Sequence, residues 1–145
     1  MKDTYIYPAV FDISNDGISI EFPDLPGCLP CADTIEEASK NAKEALMLHI
    51  FGMEQDNEDI PDPTPFTEIK LENNQTIMLI EVYMPSFREK QKGKIVKKTL
   101  TIPSWLNAEA EHYGLNFSQV LREALENRLH IEYEVIAKLL CNVGK

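Results

Sequence analysis

The chain has 145 residues, 43% hydrophobic and 8% aromatic, with a formal charge of −10. That is enough apolar content for packed cores, too much for a disordered chain, and room for one domain or two small ones. No apolar run reaches the roughly 20 residues of a membrane span and no apolar leader follows Met1, so membrane and export classes are excluded and a cytoplasmic protein is expected.

Residues 4–13 are β-rich, with Tyr5, Ile6, Tyr7, Val10, Phe11 and Ile13. Asn15-Asp16-Gly17 can supply the positive φ of a tight hairpin, and residues 18–22 alternate as a half-buried strand does. Pro23 to Gly27 is a turn cluster, and residues 29–32 suit a short third strand. Thr34 with Glu37 is a capping box that opens a helix. Ile35, Ala38, Ala42, Ala45, Leu46, His49 and Ile50 give that helix one apolar face, and it should end near Phe51-Gly52. Residues 54–65 are acidic with three prolines and read as an exposed loop. Residues 66–71 and 76–84 read as strands around a turn at Asn73-Asn74, which makes the first domain β-β-β-α-β with room for one extra strand. Residues 85–93 are polar and read as a hinge.

Beyond the hinge, residues 94–102 alternate, with Leu100 and Ile102 on one side and Lys97, Thr99 and Thr101 on the other. Pro103 stops the strand and Ser104 can cap a helix with Leu106, Ala110 and Tyr113 inward and Gly114 as its stop. Asn116 with Gln119 opens a second helix, whose buried stripe is Phe117, Val120, Leu121, Ala124, Leu125 and Leu129. Residues 131–140 keep an apolar face through Val135, Ile136 and Leu139 and are expected to lengthen it. One strand and two short helices cannot bury their own apolar side, so a second copy is required. Leu100, Ile102, Leu106, Val120, Leu121 and Leu125 are the expected dimer core, with Trp105 packed beside it. Two paired strands fit a DNA major groove, so Lys97, Thr99 and Thr101 would face base edges. The helix start at Asn116, Phe117 and Ser118 suits a phosphate.

The charge is divided. Residues 1–90 carry 18 acidic against 6 basic side chains, a balance of −12, and residues 91–145 carry 6 against 8. An acidic body repels nucleic acid and attracts a basic protein surface. Glu21, Asp24, Glu54, Asp56, Glu58 and Asp59 are its candidate contacts.

Lys97-Lys98-Thr99-Leu100-Thr101-Ile102 followed by Gly114-Leu115-Asn116-Phe117-Ser118 resembles the Arc/CopG/MetJ ribbon-helix-helix family. A longer ordered run resembles the HicB antitoxin family. It comprises Tyr7-Pro8-Ala9-Val10, Asp16-Gly17, Phe22-Pro23-Asp24-Leu25-Pro26-Gly27-Cys28, Asp33-Thr34, Glu36-Glu37-Ala38, Asn41-Ala42-Lys43-Glu44-Ala45-Leu46 and Ile60-Pro61-Asp62-Pro63. The resemblance implies an α+β chain. Residues 1–85 would form a partial RNase H-like toxin-binding domain, residues 86–93 a linker, and residues 94–145 a ribbon-helix-helix (β-α-α) dimerisation and DNA-binding domain. It further implies a non-enzymatic antitoxin without cofactor or metal. Such an antitoxin would block a HicA-like mRNA-cleaving toxin and repress its operon by binding double-stranded operator DNA as a homodimer or tetramer.

Three other classes compete. A residual RNase H-like nuclease would need Mg²⁺ on clustered carboxylates, and Asp12 alone is suggestively placed. Thiol or zinc chemistry at Cys28 and Cys31 lacks further ligands nearby, and three cysteines make a disulfide framework a poor fit. A ligand- or metal-responsive ribbon-helix-helix repressor would use His49, which lies on an apolar helix face where a structural role is the simpler one.

Overall fold

Alternation in the first strand sets the architecture. In the computed structural model, which describes residues 1–129, strand β1 (Thr4–Ser14) turns Tyr5, Tyr7, Ala9 and Phe11 to one face, all buried. A two-residue loop leads to β2 (Gly17–Glu21), with Ser14 opposite Gly17. The positive φ of this hairpin falls on Gly17 (134°), where a Cβ would come within 3.1 Å of the Ala32 carbonyl oxygen. Pro8 lies in the half of β1 that pairs only with β4, so no ladder on its other side is interrupted.

The expected third strand is β3, reduced to Cys31–Ala32. With β4 (Gln75–Tyr83) it completes an antiparallel sheet of order β3-β2-β1-β4. Helix α1 (Ile35–Asp56) covers one face. Thr34 caps it as expected, its Oγ1 accepting from the Glu37 N–H at 3.2 Å. Ala38, Ala42, Leu46 and Ile50 form a fully buried row at four-residue spacing against the sheet. Each of the larger side chains in this core, such as Leu46, Ile20 and Phe11, contributes about 1.5–3 kcal/mol by burial. Asn41, the one buried polar residue among those described, donates to the Cys31 carbonyl oxygen at 2.7 Å and so ties α1 to β3.

Three sequence expectations need correction here. Helix α1 runs through Gly52 to Asp56, because Met53 still packs on the core and the stop is Asn57, at φ 55°. Residues 66–71 form no strand. Both sides of β1 are taken by β2 and β4, and the segment turns instead through a short 3₁₀ element, Phe66–Glu68, closed by the Glu68 N–H on the Pro65 carbonyl. Residues 85–93, expected as a hinge, belong to helix α2 (Met84–Lys92). Pro85 suits a first helical turn and Gly93 ends the helix at φ 62°. Met84 is buried, and Phe87 meets Phe51 edge-on at 5.9 Å.

The described residues divide into two compact units between Lys94 and Ile95, with residues 86–93, expected as a linker, in the first. In the second unit, residues 95–102 join no sheet within the chain. Helix α3 (Ser104–His112) is flanked by Pro103 rather than capped by the Ser104 side chain. It ends on Gly114 (φ 65°), with Gly114 and Leu115 N–H groups on the Glu111 and Ala110 carbonyls, both at 3.0 Å. This is the double bond of a Schellman stop. Helix α4 (Phe117–Arg128) is capped by Asn116, whose Oδ1 accepts from the Gln119 N–H at 3.0 Å. The expected continuation over residues 131–140 lies outside the described residues.

Candidate functional site

The second unit carries the expected nucleic-acid residues on open surface. Lys97, Thr99 and Thr101 are exposed. Phe117 and Ser118 form the first turn of α4, where N–H groups have no intrahelical acceptor. Asn116 precedes them, and its side chain makes the expected cap. The apolar set for a dimer core is unburied in the single chain, with Leu100 61%, Val120 46% and Leu125 53% exposed, Ile102 and Leu106 also exposed, and Leu121 half-buried. Trp105 is exposed as well. No described residue of this unit is buried. Sequence reasoning passed over Ile95 and Val96, which extend the same exposed apolar run.

The six candidate carboxylates of the first unit separate. Glu54 is not a free contact. Its side chain is 4% exposed and accepts from Arg88 at 2.6 and 2.9 Å, with the Tyr5 hydroxyl at 3.4 Å. Asp24 is also spent, accepting from the Thr64 N–H at 3.0 Å and its hydroxyl at 2.5 Å, which pins the acidic loop to the turn after β2. Glu21, Asp56, Glu58 and Asp59 are exposed. The loop is further held by the Tyr7 hydroxyl, which donates to the Pro61 carbonyl. Burial first, and then the nearby Asp24 charge, push that phenol up to about 12. Between the loop and the start of β1 lies an open cavity of about 600 Å³, lined among others by Lys2, Ile6, Asp59, Ile60 and Pro61.

Asp12 is held by the side-chain amides of Asn74 and Gln75 at 2.5 and 3.1 Å. Among the described residues no group of three or more metal-ligating side chains converges, and no helix is long and apolar enough to cross a membrane. Cys28 is a free, buried thiol pushed up to about 12 by burial, the opposite of a reactive thiolate. Cys31 stands half-buried in β3.

His49 is half-buried on α1, and its pKa is lowered, mainly by burial and against the pull of Glu58. The unfolded chain therefore takes up the proton first. Stability should be fully present above the ordinary histidine value near 6.5 and decline as pH falls below it. The urea midpoint should drop between pH 7 and pH 5.5 by more in the native chain than in His49→Gln. Equal slopes would remove His49 as the cause.

Comparison with known proteins places these features. A family model described as a HicB-like antitoxin of bacterial toxin-antitoxin systems matches residues 7–124. An uncharacterised 14.9 kDa protein from the rep–hol intergenic region of Haemophilus phage HP1 is 34% identical over 130 residues, covering 86% of this chain and 97% of that protein. Antitoxin HicB of Escherichia coli K12 is 32% identical over 76 residues, covering 48% of this chain and 55% of that protein. A chain from a toxin-antitoxin complex of Streptococcus pneumoniae shares the fold, with a TM-score of 0.54 at 22% identity over 86% of this chain and 99% of that one.

Proposed function

The chain belongs to the HicB-like antitoxin family of bacterial toxin-antitoxin systems, and from that membership we propose that it neutralises a HicA-like mRNA-cleaving toxin by direct binding. It also represses its own operon, holding double-stranded operator DNA as a dimer. The observation that carries the reading is the family match itself, because residues 7–124 run through both units. The protein acts without chemistry of its own, in the cytoplasm.

Charge supports the toxin half of the reading. Residues 1–90 balance at −12, and such a body draws in a basic ribonuclease while repelling the RNA it cuts. The first unit, a sheet of order β3-β2-β1-β4 under one helix, is the partial RNase H-like domain. Exposure supports the DNA half. An isolated unit with no buried residue cannot hold itself together, and its apolar residues lie on a lone extended segment and two capped helices. A second copy solves this by pairing residues 95–102 into a two-stranded ribbon over an interlocked helix layer. Lys97, Thr99 and Thr101 then enter the major groove, and the start of α4 meets a phosphate.

Co-expression with a HicA-family toxin tests the first half. Growth rescue together with a purified complex is expected; toxicity undiminished by the chain would reject it. For the second half, Thr99→Ala with Thr101→Ala should cut the preference for operator over scrambled DNA by ~10-fold or more, since base contacts are worth ~1–3 kcal/mol each. Toxin rescue should be untouched. An unchanged preference in electrophoretic shifts at matched salt would remove the ribbon face from DNA reading.

A further inference from the structure

Resting on the antitoxin reading above, we propose that the toxin docks on the sheet face opposite α1, centred on Ile6, Leu79 and Tyr83, rather than on the acidic loop after α1. Strand alternation fixes which residues lie there. Since Tyr5, Tyr7, Ala9 and Phe11 face the helix, the intervening Ile6, Pro8, Val10 and Asp12 face away from it. Across the ladders Ile6 pairs with Glu81, Pro8 with Leu79, Val10 with Ile77 and with Glu21, and Asp12 with Gln75. Ile6 is 48%, Leu79 54% and Tyr83 59% exposed. Pro8 and Val10 on the same face are themselves buried, so its exposed large apolar groups are Ile6, Leu79 and Tyr83 on the β1–β4 side. Apolar side chains gathered on a sheet face with charged groups among them mark a protein contact.

The charges identify the occupant. No lysine or arginine occurs in β1, β2, β3 or β4, and the sheet's three carboxylates, Asp12, Glu21 and Glu81, all lie on this one face. None of the three is in an ion pair among the described residues. Glu81 lies among the exposed apolar groups, opposite Ile6 and between Leu79 and Tyr83, and Asp12 and Glu21 lie toward the other end of the strands. The face therefore fits a basic protein whose lysines and arginines meet these carboxylates beside its own apolar groups. A second copy of this chain fits poorly, because a two-fold axis through the patch would set the same carboxylates against one another. The edge adds to the surface. β3 is a two-residue edge, whereas β4 exposes a nine-residue edge with no lysine, proline or glycine, the devices that ordinarily protect one. Of the six carboxylates singled out by charge alone, only Glu21 falls on this face.

Binding of the full-length chain to a catalytically inactive HicA-family toxin is the test, measured by calorimetry for wild type, Leu79→Lys, Glu81→Lys and the loop variant Glu58→Lys with Asp59→Lys. Leu79 and Glu81 are both exposed, so the folded unit tolerates lysine at either, and a matching thermal melt checks it. Each face variant should weaken binding by at least ~30-fold, as expected when a charge enters, or reverses within, the desolvated patch. The loop variant should stay within ~3-fold of wild type, the screened range for rim charges. Loss of binding in the loop variant with the face variants unaffected would overturn the assignment and leave the antitoxin reading standing. Unchanged toxin binding in the face variants, with a change in the oligomeric state of the free chain, would give the face to a second copy. Failure of wild type to bind would remove both readings.

Discussion

Leu100→Asp should convert the protein to a monomer that no longer shifts operator DNA while still binding toxin. Leu100 is 61% exposed in the single chain, so aspartate there costs the isolated fold nothing. The cost falls on association. In a two-fold ribbon the substitution enters twice, and each carboxylate must leave water without a cationic partner. Several kcal/mol per ion sets dimer dissociation at least ~10³-fold weaker, since each 1.4 kcal/mol is a factor of ten. A monomer has half the recognition surface and no fixed spacing between half-sites, so operator affinity collapses along with it. Light scattering at micromolar protein and an operator shift would read the two effects together. Leu100→Met should restore both, because volume-conserving apolar swaps are tolerated. A Leu100→Asp protein that remains a dimer and binds operator would exclude residues 95–102 from the interface.

The same residue shows how far the sequence carried and where it stopped. Period-two alternation located β1, β2 and β4 to within about a residue or two, and Thr34 and Asn116 act as the helix caps their types suggested. These signals are local, so a linear reading captures them. Tertiary partners are what it lacked. Residues 66–71 look like a strand, but they join no sheet and turn through the short 3₁₀ element Phe66–Glu68 instead. Residues 85–93 look like a polar hinge because only Met84 and Phe87 carry apolar weight, yet those two reach the core and Pro85 and Gly93 mark the ends of a helix. Among the carboxylates, composition weighted Glu54, Asp24 and Glu58 alike. Only the fold reveals that Glu54 is buried on Arg88 and Asp24 is spent on Thr64, 40 positions away.

Arg88→Met should be the most damaging single change in the first unit. Arg88 ties α2 to two other segments: Glu54 near the end of α1, and the N-terminal stretch through the Lys2 carbonyl at 2.5 Å and Asp3 at 3.3 Å. The Glu54 hydrogen bond is the largest cause of the raised pKa of this guanidinium. Side-chain exposures of 11% for Arg88 and 4% for Glu54 put the pair out of water, unlike the open Lys92–Glu89 bridge, at 51% and 60%, which adds little. Removing the arginine strands the Glu54 carboxylate with the Tyr5 hydroxyl at 3.4 Å, and breaking a buried pair in this way costs about 3–5 kcal/mol. Hydrogen exchange at α2 and β1 amides would isolate that loss from the second unit. Adding Glu54→Leu to Arg88→Met should recover most of it, because an apolar pair of similar volume removes the desolvation penalty along with the attraction. Toxin affinity should fall in Arg88→Met in proportion to the folded fraction and return in the double variant. Operator binding should hold throughout, since the residues proposed for the dimer core are in the other unit. A loss under ~1 kcal/mol, or a double variant no more stable than the single one, would mean that water reaches the pair and that Met84 and Phe87 alone hold α2 on the sheet domain.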